Sequence, residues 1–145
     1  MFEDLNFRVA KHSDIEWLVK LRIKTMSAYL LAAHEYLSEE EQRARVVQDF
    51  ESIQIILRNS MDIGMLKVVK HPSNWKLVQI QLQPESQGSG IGRYILEQLI
   101  EETRAKAVSL SLSVLKVNPA KHLYDRLGFY VVKEKNESYE MQIDP

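Results

Sequence analysis

The chain has 145 residues, of which 45% are hydrophobic and 27% charged, the composition of a globular domain large enough to bury a core. Nineteen basic residues against twenty acidic ones give a formal net charge of -1 at pH 7, without the basic excess typical of nucleic-acid-binding proteins. The absence of cysteine excludes disulfides, thiolate metal sites and a cysteine nucleophile, and it permits a reducing compartment.

The sequence carries no targeting pattern. Residues 1–4 are acidic and lack the basic start and apolar run of a signal peptide. Apolar stretches such as residues 29–33 are far too short to span a membrane, and no repeat or linker rich in Pro or Gly divides the chain. We therefore expect one cytoplasmic domain over residues 1–145, with neither nucleic acid nor a membrane as its partner.

The first half of the chain predicts a strand, two helices and an antiparallel meander. Residues 5–9 alternate apolar with polar, as a short strand does. Ser13-Asp14-Ile15-Glu16 has the spacing of a capping box and predicts a helix that continues to Tyr36 or breaks near His34. A second capping box at residues 38–41 predicts a helix reaching Phe50. The period then changes to that of strands, separated by turn residues, over 53–57, 63–70 and 75–82.

The second half predicts a strand–helix–strand crossover and therefore a parallel pair. After the strand ending at Leu82 comes the segment 84–92, rich in glycine, and then a helix with Ile91, Ile95 and Leu99 on one face. Residues 108–114 alternate apolar with Ser and predict the second strand of the crossover. Asn118-Pro119 marks a further helix start, Gly128 its end, and two strands follow at 129–132 and 139–143. The predicted fold class is mixed α/β, with parallel and antiparallel pairs in one sheet.

The segment between the crossover strand and its helix, Gln87-Gly88-Ser89-Gly90-Ile91-Gly92, has the composition of a phosphate-binding loop. Glycine lets the backbone approach a ligand, and the first amides of a helix have no internal partner, so a pyrophosphate suits this position; a purely structural turn is the alternative. The dinucleotide fingerprint fails because Arg93 stands at its sixth position, and the Gly-Lys-Ser/Thr of nucleoside triphosphatases is absent. The spacing that fits is Gln-x-x-Gly-x-Gly, met by Gln87, Gly90 and Gly92.

On that spacing the sequence resembles the GNAT superfamily of N-acetyltransferases. A second marker is the run Asn118-Pro119-Ala120-Lys121-His122-Leu123-Tyr124-Asp125-Arg126-Leu127-Gly128-Phe129, which is similar to the family's Asn-x-x-Ala/His...Leu-Tyr-x-x-x-Gly-Phe segment. The resemblance covers nearly the whole chain. It implies an α/β (α+β mixed sheet) fold of about seven strands and four helices, with splayed central parallel strands.

The resemblance also implies where acetyl-CoA, the co-substrate, binds. Backbone groups of Leu82 and Gln83 would pair with the pantetheine arm. The pyrophosphate would lie on the amides of Gln87, Gly88, Ser89, Gly90, Ile91 and Gly92. Lys121 and Arg93 are candidates for the outer phosphates, against the alternative that both are merely solvated. Asn118 is expected to cap its helix and, by the resemblance, to touch the pantetheine as well.

Tyr124 is the implied catalytic residue, protonating the departing thiolate, against the alternative of a core aromatic. A phenol with a pKa of about 10 stays protonated at neutral pH and can donate. The implied reaction is direct transfer in a ternary complex, with an amide near Leu82 stabilising the oxyanion. Residues 75–82 contain no carboxylate, so no general base is assigned. Gln79 or Gln81 can orient a water but cannot act as an efficient base. His34 or Glu35 can lie near the acceptor, against the alternative of a surface role for each.

The expected acceptor is a primary amine of a small molecule or peptide. Its pocket is predicted from residues 29–36, 71–75 and 136–139. The candidate lining residues are Tyr29, His34, Tyr36 and Trp75. For the three aromatic residues among them the alternative is a position in the core. No acidic cluster favours a polycationic substrate, no metal is expected, and the chain is expected to be a monomer or homodimer. The alternative function is a non-catalytic acyl-CoA-binding or regulatory module on the same fold.

Overall fold

The computed structural model describes residues 2–145, and the elements follow one another in the predicted order. A strand, two helices and three strands come first: β1 (Leu5–Val9), α1 (Ile15–Ala32), α2 (Glu39–Val47), β2 (Ile53–Arg58), β3 (Met61–Lys70) and β4 (Asn74–Leu82). The second half contains α3 (Ile91–Ala105), β5 (Ser109–Leu115), α4 (Ala120–Leu127), β6 (Tyr130–Glu134) and β7 (Ser138–Ile143). No helix in the described part of the chain is long and apolar enough to cross a membrane.

The seven strands form one sheet in the order β1-β2-β3-β4-β5-β7-β6. Every neighbouring pair is antiparallel except β4 and β5, which are parallel as the crossover predicts. These two strands pair only from Asn74 against Ser109 to Leu77 against Leu112. Beyond that point residues 78–82 of β4 and 113–115 of β5 continue without pairing to each other. The gap between these two stretches is called the wedge below.

Each face of the sheet has its own apolar core. On one face α1 and α2 bury Leu18, Leu21 and Val46 against Ile53, Ile55 and Met65. On the other face α3 and α4 pack Ile95, Leu99 and Tyr124 against Leu77, Leu110 and Met141. The inward stripe predicted for α3 is confirmed, since Ile91, Ile95, Leu96, Leu99 and Ile100 are all buried. The wedge opens between these two layers.

The predicted helix starts are only partly confirmed. Ser38 and Glu41 form the second capping box through two 3.1 Å bonds. α2 stops at Val47, before Phe50, because the backbone is extended at Gln48 and left-handed at Asp49, with φ 53°. The capping box at Ser13 does not form. Asp14 accepts instead from the Lys11 amide at 2.7 Å, and α1 begins at Ile15. It ends at Ala32, and His34, with φ 60°, marks the predicted break.

A β-bulge in β4 decides which side chains face α1 and α2. Lys67 of β3 pairs with Gln79, but its neighbour Val68 pairs with Leu77, so Val78 is an extra residue. Successive side chains of a strand point to opposite faces, and an inserted residue reverses that alternation. Trp75 and Leu77 therefore face α3, whereas Gln79, opposite Lys67, faces the α1 and α2 layer.

Candidate active site

The wedge exposes one edge of β4. The Gln83 amide donates to the Ile63 carbonyl of β3 at 2.8 Å. Because backbone groups alternate between the two edges of a strand, Leu82 and Ile80 present their amides and carbonyls to the wedge. The Gln83 amide is thus used by β3, and contact of Leu82 and Gln83 with the pantetheine arm stays a prediction. The edge is pre-formed for an extended ligand that adds as a strand.

A cavity of about 300 Å³ lies at the inner end of the wedge. It is lined by β4 from Leu77 to Gln81, by the end of β5, and by Tyr124 and Asn118. The Tyr124 side chain is buried and packs edge-on against Phe129, with ring centroids 5.7 Å apart. Its hydroxyl has no hydrogen-bond partner among residues 2–145, and burial raises the pKa of the phenol above its usual value. Tyr124 is therefore both part of the core and a protonated donor in the cavity wall.

Local sequence holds Tyr124 in place. Gly128 ends α4 with φ 103°, and the Phe129 amide donates back to the Tyr124 carbonyl at 3.0 Å. At the other end of α4, the Asn118 side-chain oxygen accepts from the Ala120 amide at 2.9 Å. This bond confirms the capping role of Asn118. The Asn118 amide group has no partner among the described residues and is left as a donor on the cavity wall.

The outer end of the wedge is formed by the start of α3. The amides of residues 88–92 have no acceptor in the part of the chain that the structure describes, and the first helical bond is from Tyr94 to Gly90 at 3.0 Å. Five successive unpaired amides at a helix N-terminus form a site for an anion. Gln87 is used differently from its neighbours, because its amide donates to Pro84 and its side chain donates to the Leu82 carbonyl at 3.0 Å. Gln87 thereby fastens the loop to the end of β4.

Gly90 and Gly92 differ in whether the backbone conformation requires glycine. Gly90, the residue before α3, has φ 87°, a conformation that other residues rarely adopt. Gly92 lies inside the first turn of α3, where alanine would be the better helix former, and a Cβ built there meets no atom within 4 Å. The fold therefore gives no reason for glycine at residue 92.

The two cations predicted for outer phosphates are both paired in the free chain. Lys121 contacts Asp125 at 2.9 Å and lies 5.1 Å from the Tyr139 ring centroid. Arg93 contacts Glu97 at 2.7 Å. Both pairs join residues four apart on one helix, an arrangement that contributes only a few tenths of a kcal/mol, about 0.3–0.5, and is easily exchanged. Their roles as phosphate ligands stay predictions.

Of the residues predicted to line the acceptor pocket, some line a cavity in the structure and others do not. Glu35 and Ser138 line the cavity beside Tyr124, and His71 lines a second cavity next to it. Trp75 is in the core, 5% exposed, because the bulge turns it toward α3. The aromatic ring of Tyr36 is exposed to solvent, and Tyr29 and His34 do not line either cavity.

Sequence analysis missed three basic residues beside this cavity. Arg22 is 4% exposed and lines both cavities, as Arg45 does, and Lys67 is 1% exposed. A signal was present in the sequence, since Arg22 falls one turn after Leu18 on the inward face of α1 and Lys67 alternates with Met65 on β3. Among residues 2–145 no group of three or more His, Asp or Glu that could hold a metal ion is found.

Comparison with known proteins identifies the family to which this fold belongs. The model of the acetyltransferase (GNAT) domain matches residues 49–131, which is more than half of the chain. A search of curated protein sequences finds no match. Similar solved structures include the PaiA N-acetyltransferase from Thermoplasma acidophilum in complex with coenzyme A, 19% identical with a TM-score of 0.72, covering 97% of this chain and 99% of that one.

Two further structures resemble the whole chain. An acetyltransferase from Thermus thermophilus is 18% identical with a TM-score of 0.75, and the alignment covers 99% of each chain. Arabidopsis thaliana Naa50 in complex with the bisubstrate analogue CoA-Ac-MVNAL is 13% identical with a TM-score of 0.70, covering 98% of this chain and 99% of that one. At these identities the structures show the fold, and the domain model shows the family. The chain belongs to the GNAT acetyltransferases.

Proposed function

We propose that the protein is an N-acetyltransferase that moves an acetyl group from acetyl-CoA to a primary amine of a small molecule or peptide. The observation that carries the proposal is a single continuous wedge. Unpaired amides lie at its outer end, an unpaired strand edge along its side, and Tyr124 at its inner end. A ligand that is anionic at one end, extended in the middle and reactive at the other matches these three features in that order.

The residues of the wedge have distinct tasks in this proposal. Acetyl-CoA supplies an activated thioester when bound. The amides of residues 88–92 hold its pyrophosphate, and the open edge of β4 at Leu82 and Ile80 aligns the pantetheine arm. A β4 amide on that edge donates to the oxyanion as it develops, and the Tyr124 hydroxyl gives its proton to the departing sulfur. With no cysteine in the chain, the amine attacks the thioester directly in a ternary complex.

Glu35 is the proposed base for the amine. It is the one carboxylate among the described residues that lines the cavity with Tyr124, and it follows α1 in the segment predicted to face the acceptor. A carboxylate can take a proton from the ammonium group, directly or through one water, and the neutral amine then attacks the thioester. In this proposal the segment after α1 provides the general base, because the side chains that β4 turns to the same face, Gln79 and Gln81, cannot act as bases.

The test combines calorimetric titration with a transfer assay. We expect acetyl-CoA to bind the purified protein, NADH and ATP not to bind, and a panel of amines to release free thiol from acetyl-CoA. Binding without transfer to any amine would favour the non-catalytic acyl-CoA module instead. No binding by a folded protein would contradict the assignment of the glycine loop.

A further inference from the structure

We infer that the acceptor amine carries an acidic group, a carboxylate or a phosphate, which Arg22 and Arg45 bind at the far side of the cavity from the wedge. The inference rests on the proposed transfer reaction and names its class of acceptor. It is carried by three features of the same region: a buried guanidinium without an acidic partner, an excess of positive charge, and a buried amide oxygen without a donor.

Arg22 is the first feature. Its side chain is almost fully buried, its Nε donates to the Gln42 side chain at 2.8 Å, and no carboxylate among residues 2–145 is within ion-pair distance. Arginine has five N–H donors, so the four on its two terminal nitrogens have no partner among the described residues, and Arg22 lines both cavities. Burial lowers the pKa of Arg22 to about 10, with the nearby charge of Arg45 as a second cause. Keeping such a group unpaired costs free energy, which an anion bound end-on would offset.

The second feature is the balance of charge around the two cavities, which share Arg22, Arg45, Val78 and Gln79 and are called the acceptor cleft here. Arg45 has no ion-pair partner in the described chain. Two further cations, Lys67 and Lys76, line the cleft with His71, against the carboxylates of Glu35 and Asp49. The four arginine and lysine side chains against two carboxylates favour an acceptor with a negative group and disfavour a diamine.

Lys67 differs from the two arginines because its donors are already used. Its Nζ donates to the carbonyls of Arg45, Val46 and Gln48 at 2.9, 3.1 and 2.6 Å, at the C-terminal end of α2. These bonds hold the turn that carries Arg45 against the sheet. Lys67 is therefore a positioning residue for Arg45, and the arginines are the anion ligands.

The third feature is Gln79, which the bulge turns into the cleft. It is 8% exposed, and its Oε1 is the single buried side-chain nitrogen or oxygen without a hydrogen-bond partner among the described residues. Buried polar atoms are rarely left unpaired, so an N–H donor from a ligand is the expected partner. Gln79 and Glu35 thus receive the amine end beside Tyr124, while Arg22 and Arg45 receive the acidic end.

The test presents one amine skeleton with four different second groups. Primary amines with a chain of two to five carbons are assayed for acetylation, and each chain carries at its other end a carboxylate, a phosphonate, a carboxamide or a second amine. We expect an acid to be preferred over its carboxamide by roughly 10–100-fold in kcat/KM, the range of a hydrogen bond to a charged group. The ratio of carboxylate to phosphonate identifies which acid is recognised. Equal or faster acetylation of the carboxamide or the diamine would overturn the inference while leaving the transfer reaction in place.

Variants on α2 provide a matched pair. Arg45→Gln removes an exposed, unpaired guanidinium and should lower the preference for the acid by about fivefold, mainly through KM. Arg43→Gln is the control, because Arg43 points away from the cleft to Glu16 and should leave the preference unchanged. Arg22→Gln should abolish the preference, with folding checked by thermal unfolding. Equal effects of Arg45→Gln and Arg43→Gln would contradict the assignment.

A binding measurement separates this inference from the proposed function. If no amine is acetylated, the transfer reaction fails, and thermal shift with the same four sets then tests the cleft alone. Stabilisation by the acids that is lost in Arg45→Gln would support the anion site without catalysis. Equal shifts with acids and carboxamides would overturn it.

Discussion

At the outer end of the wedge the proposed binding groups are backbone amides from one continuous segment, whereas in the acceptor cleft they are side chains from four separate elements. Residues 88–92 provide their donors by the way the chain enters α3. Arg22, Glu35, Arg45 and Gln79 come from α1, the segment after it, α2 and β4. Backbone donors suit a ligand that is always the same. Side chains allow the acceptor to change from one protein to another while the fold is kept.

This difference predicts that substitutions will separate into three groups. Changes at the outer end should alter the affinity for CoA and leave the choice of amine intact. Changes in the acceptor cleft should do the opposite. Tyr124 lies where the two regions meet and should alter the rate without altering either affinity.

Tyr124→Phe should have the largest effect. Loss of the proton donor is expected to lower kcat by about 10²–10³-fold, within the range for general acid catalysis, while the Kd for CoA changes less than twofold. Because burial raises the pKa of Tyr124, any loss of wild-type kcat through deprotonation of this group should set in at a higher pH than for an ordinary phenol. Steady-state kinetics between pH 7 and 10.5, with calorimetry, measures both. Unchanged kcat would make Tyr124 a core residue only.

Glu35→Gln should lower kcat/KM for the amine by roughly 10–100-fold at pH 7, since the base is lost. The defect should shrink as the pH rises toward the pKa of the free amine, because the amine then arrives already neutral. The Kd for CoA serves as the control, as Glu35 lies away from the glycine loop. A defect of the same size at pH 7 and pH 10 would argue for a steric role.

Lys67→Met tests the buried charge below the acceptor cleft by its effect on the free energy of unfolding. Burial lowers the pKa of Lys67 to about 8, so the unfolded chain, with its higher pKa, binds more protons between about pH 8 and 10.5. The free energy of unfolding should therefore rise with pH across that window, by roughly 2 kcal/mol between pH 7.5 and 9.5 from this group. Urea unfolding of both proteins isolates the contribution, which Lys67→Met should lack. Parallel pH profiles would show that the pKa of Lys67 is not lowered.

Gly92→Ala should have the smallest effect and the most local one. The added methyl group enters open space beside the free amides and should weaken CoA binding about tenfold, or about 1.4 kcal/mol. Stability should be unchanged or higher by up to about 0.5–1 kcal/mol, since alanine is the better helix former. S-acetylpantetheine, which lacks the pyrophosphate, is the matched ligand and should bind both proteins equally. Equal loss for both ligands would place the methyl group against the pantetheine arm instead.

Residues close in sequence determined most of the fold and one end of the site. The run 87–92 and the run 118–129 each place their groups through turns, caps and helix ends that involve only near neighbours. The period of apolar residues predicted the strands and helices, and two helix limits differ: Asp14 and not Ser13 accepts at the start of α1, and α2 ends before Phe50. Such contacts are decided within a few residues, so they can be predicted from sequence alone.

The tertiary structure alone decided the acceptor cleft. The bulge at Val78 reverses the alternation of side chains between the two faces of β4. Trp75 therefore lies in the core and Gln79 in the cleft, although both are on the same strand. The change of phase, from Trp75 and Leu77 to Val78, Ile80 and Leu82, is visible in the sequence, but which face it exposes depends on the register with β3. Arg22, Arg45 and Lys67 meet there from three distant elements. A buried charge is recognised as unpaired only when every neighbouring element is in place, because its partner can come from anywhere in the chain.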